Sequence, residues 1–478
     1  METIQRIIKN TSIFFISQII GSILSFFFFV YSARYLGAKD FGILSFALAL
    51  GAIFGIFIDF GLGQLAIREI ARDKSLVKKY LSNIIGIKLV LALISFAALA
   101  VFASLSQSSR MATEVVYVIG FAIVCGSFNV MFSAIFQAHE KMEYDFIAEI
   151  LNSGLLFIGV FFAISHQFNV VGFAIIYLIA NVTSLIYNIA VCAWKFARPK
   201  IEIDWIFWKP VLKAALPFAL AGVFTTILNW IDTVMLSTMQ GSTVTGIYNA
   251  AYRVVFVLLF IPAALGAAVF PVMSRLHISS KENLKLIYEK SFKYLTILGI
   301  PIGVGGTLLA ERIIFFIFSS QYQSSIIAFQ ILIWSVVLIF MSTPPSNLLN
   351  STNRQAILTK IVGASTLLNI FLNLLFIPKY GYVAASINTT VSALLIFFGV
   401  MFAAAKIGYK MPVFKTVMLI FRAVFSSLVM AAFVIYFKNI NLTLLIVSSA
   451  IIYFICMYLV GAFDREDTDI IKKIIYKK

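Results

Sequence analysis

Charged residues are scarce in this chain. Only 12% of its 478 residues are Asp, Glu, Lys or Arg, whereas 61% are hydrophobic. A soluble globular domain has about a quarter of its residues charged and about half of them apolar, so this composition excludes an ordinary soluble protein. The longest polar gaps between apolar runs, 195–213 and 275–291, are too short to fold as separate domains. We therefore expect the protein to act within a membrane or at its surfaces.

Catalytic and metal-binding patterns are missing as well. The three cysteines, Cys125, Cys192 and Cys456, lie far apart inside apolar runs, which predicts neither a disulfide framework nor a metal site. The three histidines fall in separate loops, and no phosphate-binding GxxxxGKS/T motif occurs. We predict a protein that is not an enzyme and needs no cofactor. Any transport must then be driven by an ion gradient, the membrane potential or the substrate's own gradient.

Apolar runs of about twenty residues recur along the whole chain, and each is long enough to cross a hydrocarbon core of about 30 Å. The first run is too long for the apolar region of a signal peptide, so we expect it to remain as a span. The prediction is an all-α integral membrane protein with about fourteen transmembrane helices, at 11–33, 41–63, 80–105, 114–137, 147–165, 171–194, 214–237, 246–274, 292–310, 326–349, 357–377, 382–405, 417–437 and 442–462.

Basic residues are distributed unevenly between the two predicted membrane surfaces. With the N-terminus inside, 28 of the 37 Lys and Arg residues lie on inner loops or at the adjoining span ends, and only 6 lie on the outer side. This asymmetry predicts that both termini are cytoplasmic in a multi-pass protein of the cytoplasmic (inner) membrane. It also accounts for the net charge of +17 without nucleic acid as a partner.

An internal repeat divides the predicted spans into two sets of six. The stretch from Gly37 to Ala47 resembles the stretch from Gly241 to Ala251: both glycines, the Ile after the second one and the final Ala recur at an offset of 204. Parallel repeats of this kind are common in transporters, which bind substrate between the repeats near the middle of the membrane. We predict an N-terminal lobe at 1–200, a pseudo-symmetric C-terminal lobe at 201–410, and two additional helices with a cytoplasmic tail at 411–478.

Polar residues follow one face of several predicted spans, at steps of three, four and seven residues. Such residues either bind neighbouring helices together or line a shared wet cavity. Because five spans carry these stripes, we favour a polar cavity, lined by Gln18, Ser22, Ser25, Asn181, Asn229, Asn249, Asn369 and Asn373.

Ionisable residues inside spans carry the most specific information, because charge in hydrocarbon is costly and usually faces protein or water. Asp232 and Arg253 lie at similar depths, which makes an ion pair between them available, and Asp59 and Lys88 form a second candidate pair. Arg34 caps the predicted outer end of the first span. Two interpretations remain open. The pairs are static salt bridges, or the three cations attract an anionic substrate while the two acids tune them or carry ions.

Several short motifs, in order along residues 10 to about 400, resemble the polysaccharide-repeat-unit flippase branch of the multidrug/oligosaccharidyl-lipid/polysaccharide exporter superfamily. They are Arg34–Ile43, Asp59–Gly63, Arg68–Arg72, Asp232–Leu236, Gly246–Arg253, Phe270–Arg275, Leu349–Arg354 and Asn373–Gly381. The resemblance implies two six-helix lobes that alternate between inward-facing and outward-facing states around a cationic cavity. The implied cargo is a polyprenyl-diphosphate-linked oligosaccharide, moved to the outer leaflet for surface polysaccharide biosynthesis. Arg34, Lys88 and Arg253 would bind it, and the last two spans would help to hold its lipid tail.

Other functions remain open from the sequence. A lipid II flippase would differ mainly in cargo. A cation-coupled drug antiporter of the same superfamily often has an acidic residue in its first span, and span 11–33 has none. A non-transporting scaffold for glycan-assembly enzymes would not require buried charges. We expect a monomer in contact with membrane lipids, and a polysaccharide polymerase beside it is left open.

Overall fold

The computed structural model describes residues 2–105 and 109–463, with side chains described from residue 16 onward. All regular elements in these ranges are helical. Two short 3-10 turns lie at Lys74–Leu76 and Ser320–Tyr322. The α-helices are α1 (Glu2–Asp59), α2 (Leu62–Arg72), α3 (Val77–Leu105), α4 (Arg110–Ala138), α5 (Met142–Ser165), α6 (Val170–Lys195), α7 (Trp205–Gln240), α8 (Ser242–Leu258), α9 (Phe260–Ser279), α10 (Lys281–Phe318), α11 (Ser325–Ser351), α12 (Gln355–Lys406), α13 (Val413–Tyr436) and α14 (Leu442–Leu459).

The described ranges contain twelve helical segments long and apolar enough to cross a membrane, so the all-helical membrane fold is confirmed. Two helices are too long for one crossing: α1 has 58 residues and α12 has 52. If straight, they would extend about 87 and about 78 Å at 1.5 Å per residue. Each is interrupted by a glycine with positive φ, Gly37 (72°) in α1 and Gly381 (55°) in α12. If both cross twice, the total is fourteen, and that count stays a prediction.

Contacts divide the chain into two compact units. Unit 1 comprises Met1–Arg253 and Val362–Ala385, and unit 2 comprises Val254–Ile361 and Ser386–Lys478. The middle of α12 therefore belongs to unit 1 and its two ends to unit 2. The predicted lobes have other bounds (1–200, 201–410 and 411–478), and they stay a prediction. The predicted cytoplasmic tail lies mostly within 464–478, outside the described residues.

The second half of α1 forms the centre of unit 1. All ten residues from Phe41 to Leu50 are buried. A helix that is apolar and buried on every side is enclosed by protein rather than by lipid. Over its whole length, α1 packs mainly against α4, α5 and α7.

The repeated glycines contact each other reciprocally. Gly37 (φ 72°, ψ 174°) and Gly241 (φ 86°, ψ 173°) have nearly the same left-handed conformation, which L-residues with a Cβ rarely adopt. A Cβ added at Gly42 would overlap the carbonyl oxygen of Ser242, and one added at Gly246 would overlap the carbonyl oxygen of Ala38. Because Ala38 and Ser242 are also 204 residues apart, the two copies of the repeat meet across a local pseudo-two-fold axis.

This close approach predicts that the second glycine of each copy tolerates no side chain. We expect Gly42→Ala and Gly246→Ala each to lower the thermal midpoint of the purified protein, because overpacking against backbone costs about 1–3 kcal/mol. Gly154→Ala is the matched control, since a Cβ at that helical position meets nothing within 4 Å. The control should hold or gain stability, as alanine is the better helix former. Equal midpoints for Gly42→Ala and Gly154→Ala would refute the reciprocal contact.

Candidate functional site

Lys88 is a wholly buried cation with a complete set of partners. Its Nζ lies 2.7 Å from Asp59 Oδ1 and donates to the carbonyl oxygen (2.7 Å) and the hydroxyl (3.0 Å) of Ser127. An ammonium has three donors, so all three are satisfied. The ion pair expected from the sequence is thus present, joining α1, α3 and α4. A fully bonded lysine has no donor left for a substrate in this state, and its predicted binding role stays a prediction.

Asp232 is buried and accepts hydrogen bonds from two neutral side chains. Its Oδ2 accepts from the Tyr248 hydroxyl at 2.9 Å, and its Oδ1 accepts from Asn373 Nδ2 at 2.5 Å. Asn373 also donates to Asn369 Oδ1 at 3.0 Å. Three of the polar residues expected from the sequence are therefore brought together on α7 and α12. Tyr248 joins them from α8, and its role was not foreseen.

The expected Asp232–Arg253 ion pair is not formed in the described part of the chain. The reason is helical register. The span predicted from the sequence begins at 246, whereas α8 begins at Ser242, directly after the Gly241 turn. Arg253 therefore lies about one turn farther from that turn than expected. Tyr248 takes the place opposite Asp232.

Arg253 lies instead between aromatic rings. Its guanidinium carbon is 3.6 Å from the ring centroid of Phe29 and 5.5 Å from that of Trp230. The Nε and Nη2 atoms are buried and have no hydrogen-bond partner among the described residues. Ring faces stabilise a cation but leave its N–H groups unused. Buried, unsatisfied donors are uncommon in folded proteins, and here they could bind an anionic oxygen.

A polar cavity of about 380 Å³ lies between α1, α2, α4, α5 and α6, within unit 1. Of the residues expected from the sequence, Gln18 and Asn181 line it. Two acids that the sequence analysis did not select, Asp145 and Glu149, also line it, one helical turn apart on α5. Asp145 accepts from the Ser133 hydroxyl at 2.5 Å. The i, i+4 spacing of these two acids places them on one face of a helix, and this is the sequence feature that could have indicated them. Both acids lie at or beside the predicted start of a span, however, where acids usually contact water.

The remaining expected residues are more scattered. Asn249 is buried and donates to the Thr233 hydroxyl at 3.2 Å, which joins α8 to α7. Arg34, Ser22 and Asn229 have exposed side chains, and Ser25 is half-buried. The prediction of one polar cavity shared by all of these residues stays a prediction. Their binding roles stay predictions.

The family described as polysaccharide biosynthesis protein matches residues 7–277, more than half of the chain. The chain belongs to this family. The family described as MatE matches residues 217–375, in agreement with membership of the exporter superfamily that the motifs resemble. Lys88, Arg253 and the polar cavity all fall within the matched region of the polysaccharide biosynthesis family.

Several relatives match this chain over most of its length. An uncharacterized membrane protein of Methanocaldococcus jannaschii, MJ1068, is 24% identical over 98% of this chain and 99% of its own. The "Probable low-salt glycan biosynthesis flippase Agl15" of Haloferax volcanii is 23% identical over 79% of each chain. Among solved structures, the lipid II flippase MurJ in an inward closed conformation matches with a TM-score of 0.77 and 16% identity over 93% of this chain and 98% of its own. At that identity, the structural likeness shows the fold alone.

The Lys88–Asp59 pair yields a stability prediction. Asp59→Asn leaves a buried ammonium without its counter-charge, so we expect a loss of about 3–5 kcal/mol, seen as a lower thermal midpoint in detergent. Adding Lys88→Met removes the unpaired charge and should recover most of the loss. A double variant as unstable as the sum of both single variants would contradict a direct pair. Normal glycan export by the double variant would show that the pair is structural.

The register of α7 and α8 yields a second prediction. We expect Asp232→Ala and Tyr248→Phe to couple by about 0.5–3 kcal/mol in a double-mutant cycle of thermal stability, because each removes the same hydrogen bond. Asp232→Asn and Arg253→Gln should add to within about 0.5 kcal/mol, because they share no contact. The reverse pattern, with coupling only to Arg253, would restore the ion pair expected from the sequence.

Proposed function

We propose that the protein is a flippase that moves a polyprenyl-diphosphate-linked oligosaccharide repeat unit from the inner to the outer leaflet, for surface polysaccharide biosynthesis. The observation that carries the proposal is Arg253, whose buried Nε and Nη2 have no partner in the described chain. A diphosphate offers several anionic oxygens, and the planar guanidinium can donate two parallel hydrogen bonds to one phosphate. The aromatic rings beside Arg253 hold the cation without occupying those donors.

The polar side chains of unit 1 suit the sugar part of such a cargo. Amide groups supply both donors and acceptors, which sugar hydroxyls require. Asn129, Asn152, Asn181 and Asn188 all line the cavity between α1, α2, α4, α5 and α6. A purely apolar cargo would gain nothing from these groups. The lipid tail of the cargo would remain in the bilayer, because burial in hydrocarbon is favourable for an apolar chain.

The relatives support the same reading. The matched family carries the description polysaccharide biosynthesis protein, and the Haloferax relative is named as a probable glycan biosynthesis flippase. We further propose that the protein acts as a monomer in the cytoplasmic (inner) membrane with both termini in the cytoplasm. Alternating access of the two lobes would expose Arg253 to one leaflet at a time. A polysaccharide polymerase would receive the product at the outer leaflet.

Export of lipid-linked glycan in a strain that lacks its own copy of the gene tests the role of Arg253. We expect Arg253→Ala to reduce export about tenfold to a hundredfold, because a hydrogen bond to a charged group contributes about 1.5–3 kcal/mol. Arg253→Lys should retain part of the activity, since it keeps the charge but loses the planar fork. The readout is the lipid-linked oligosaccharide that becomes accessible at the outer leaflet, normalised to protein in the membrane.

Arg110→Ala is the matched control, because that side chain is 94% exposed and pairs only with Glu114 at 3.2 Å among the described residues. It should export normally. Full export by Arg253→Ala at equal protein levels would refute the proposal. If deletion of the gene lowered the total amount of lipid-linked glycan but left the fraction at the outer leaflet unchanged, the protein would be a scaffold for assembly enzymes instead.

A further inference from the structure

A second cavity, of about 680 Å³, lies in unit 2 and combines cationic and apolar side chains. It is formed by the beginning of α10, the beginning of α13 and the segment after α14. Four cations line it (Lys290, Lys293, Lys415 and Arg422), and Glu289 is its one acidic lining residue. Glu289 already lies 3.9 Å from Lys285, on the same helix. Lys290 and Lys293 have interactions of their own, so the positive charge left to explain among the described lining residues is that of Lys415 and Arg422.

Two of these cations, Lys415 and Arg422, have no acidic partner among the described residues. Arg422 is the tenth residue of α13, hence about 14 Å from the start of an apolar, membrane-spanning helix. Its one hydrogen bond in the described chain is from Nη1 to the Gly461 carbonyl oxygen, at 2.6 Å. Lys415 makes no ion pair within 4 Å in the described residues. A cation at this depth normally pairs with an acid or reaches water, so an anion from outside the chain is the natural partner here.

The remaining walls of the cavity indicate what kind of anion binds. Apart from the charged residues and Thr416, the lining is apolar, so there are few groups that could recognise a sugar. Beside the cavity, α13 presents Phe414, Val417 and Phe421, which are 77%, 59% and 66% exposed. These side chains are spaced by three and four residues, so they form one lipid-facing stripe next to the cationic face. The ligand must therefore have a small anionic headgroup and long apolar chains.

We propose that this cavity binds the phosphate of an anionic membrane phospholipid, with its acyl chains along the exposed face of α13. Basic pockets between transmembrane helices bind anionic lipid headgroups in this way. The lipid would neutralise Lys415 and Arg422 and hold α13 against α10. The diphosphate-linked cargo is a poorer occupant, because its oligosaccharide would find almost no polar partner in this lining.

Lipid binding by the purified full-length chain tests the proposal. In native mass spectrometry with added phosphatidylglycerol or phosphatidylcholine, we expect one tightly bound phosphatidylglycerol and no comparable phosphatidylcholine. Lys293→Ala with Lys415→Ala should weaken that binding about tenfold or more, since each basic residue near the headgroups contributes measurably. Arg422 is left intact because its bond to Gly461 supports the fold.

Lys209→Ala with Lys213→Ala is the matched control: it removes the same charge from exposed positions at the start of α7. Equal weakening by the control, or equal binding of phosphatidylcholine, would overturn the proposal. The four acids in residues 464–469 follow the cavity directly in sequence, so a chain ending at Phe463 forms a further arm. If phosphatidylglycerol bound only after this truncation, the occupant would be the chain's own acidic segment. Because the readout is lipid binding, it does not depend on the proposed export activity.

Discussion

The apolar interior of the membrane imposes one condition on the whole chain: each charge inside it must be compensated by a partner. The buried charges of unit 1 meet that condition in three different ways. Lys88 is compensated by an acid and two oxygens of Ser127. Asp232 is stabilised by hydrogen bonds from neutral groups, and Arg253 by aromatic rings. Of the three, only Arg253 keeps hydrogen-bond donors without a partner in the described chain. That difference distinguishes Lys88, which stabilises the fold, from a residue with donors for an anion.

The glycine turns determine which charges meet. Gly241 ends α7 and α8 begins at the next residue, so the pairing of the two helices is fixed by that turn. Tyr248 then lies opposite Asp232, and Arg253 lies about one turn beyond. The close contact of Gly42 with Ser242 and of Gly246 with Ala38 further holds the two turns together. A local backbone feature thus sets the chemistry of side chains more than 10 Å away along the helix.

The sequence predicted what depends on composition and period. Apolar runs identified the helices, the offset of 204 identified the repeat, and the cost of buried charge identified the Lys88–Asp59 pair. It did not predict what depends on register between helices, which is why Arg253 was paired with Asp232. Asp145 and Glu149 were overlooked because acids near the start of a span are usually solvated. The cationic cavity of unit 2 could not be found either, since its residues are spread from 286 to 462 and no motif links them.

The two rings beside Arg253 suggest how binding and conformational change are connected. Phe29 belongs to α1 and Trp230 to α7, while Arg253 is on α8. The environment of the guanidinium therefore depends on the relative positions of three helices. A shift of α1 that withdrew Phe29 would remove one ring face and increase the benefit of a bound anion. Conversely, an anion on Nε and Nη2 would favour the arrangement that leaves those donors accessible. A ligand shifts an equilibrium only through its differential affinity for the two states, and the proposed diphosphate contact at Arg253 would supply that difference.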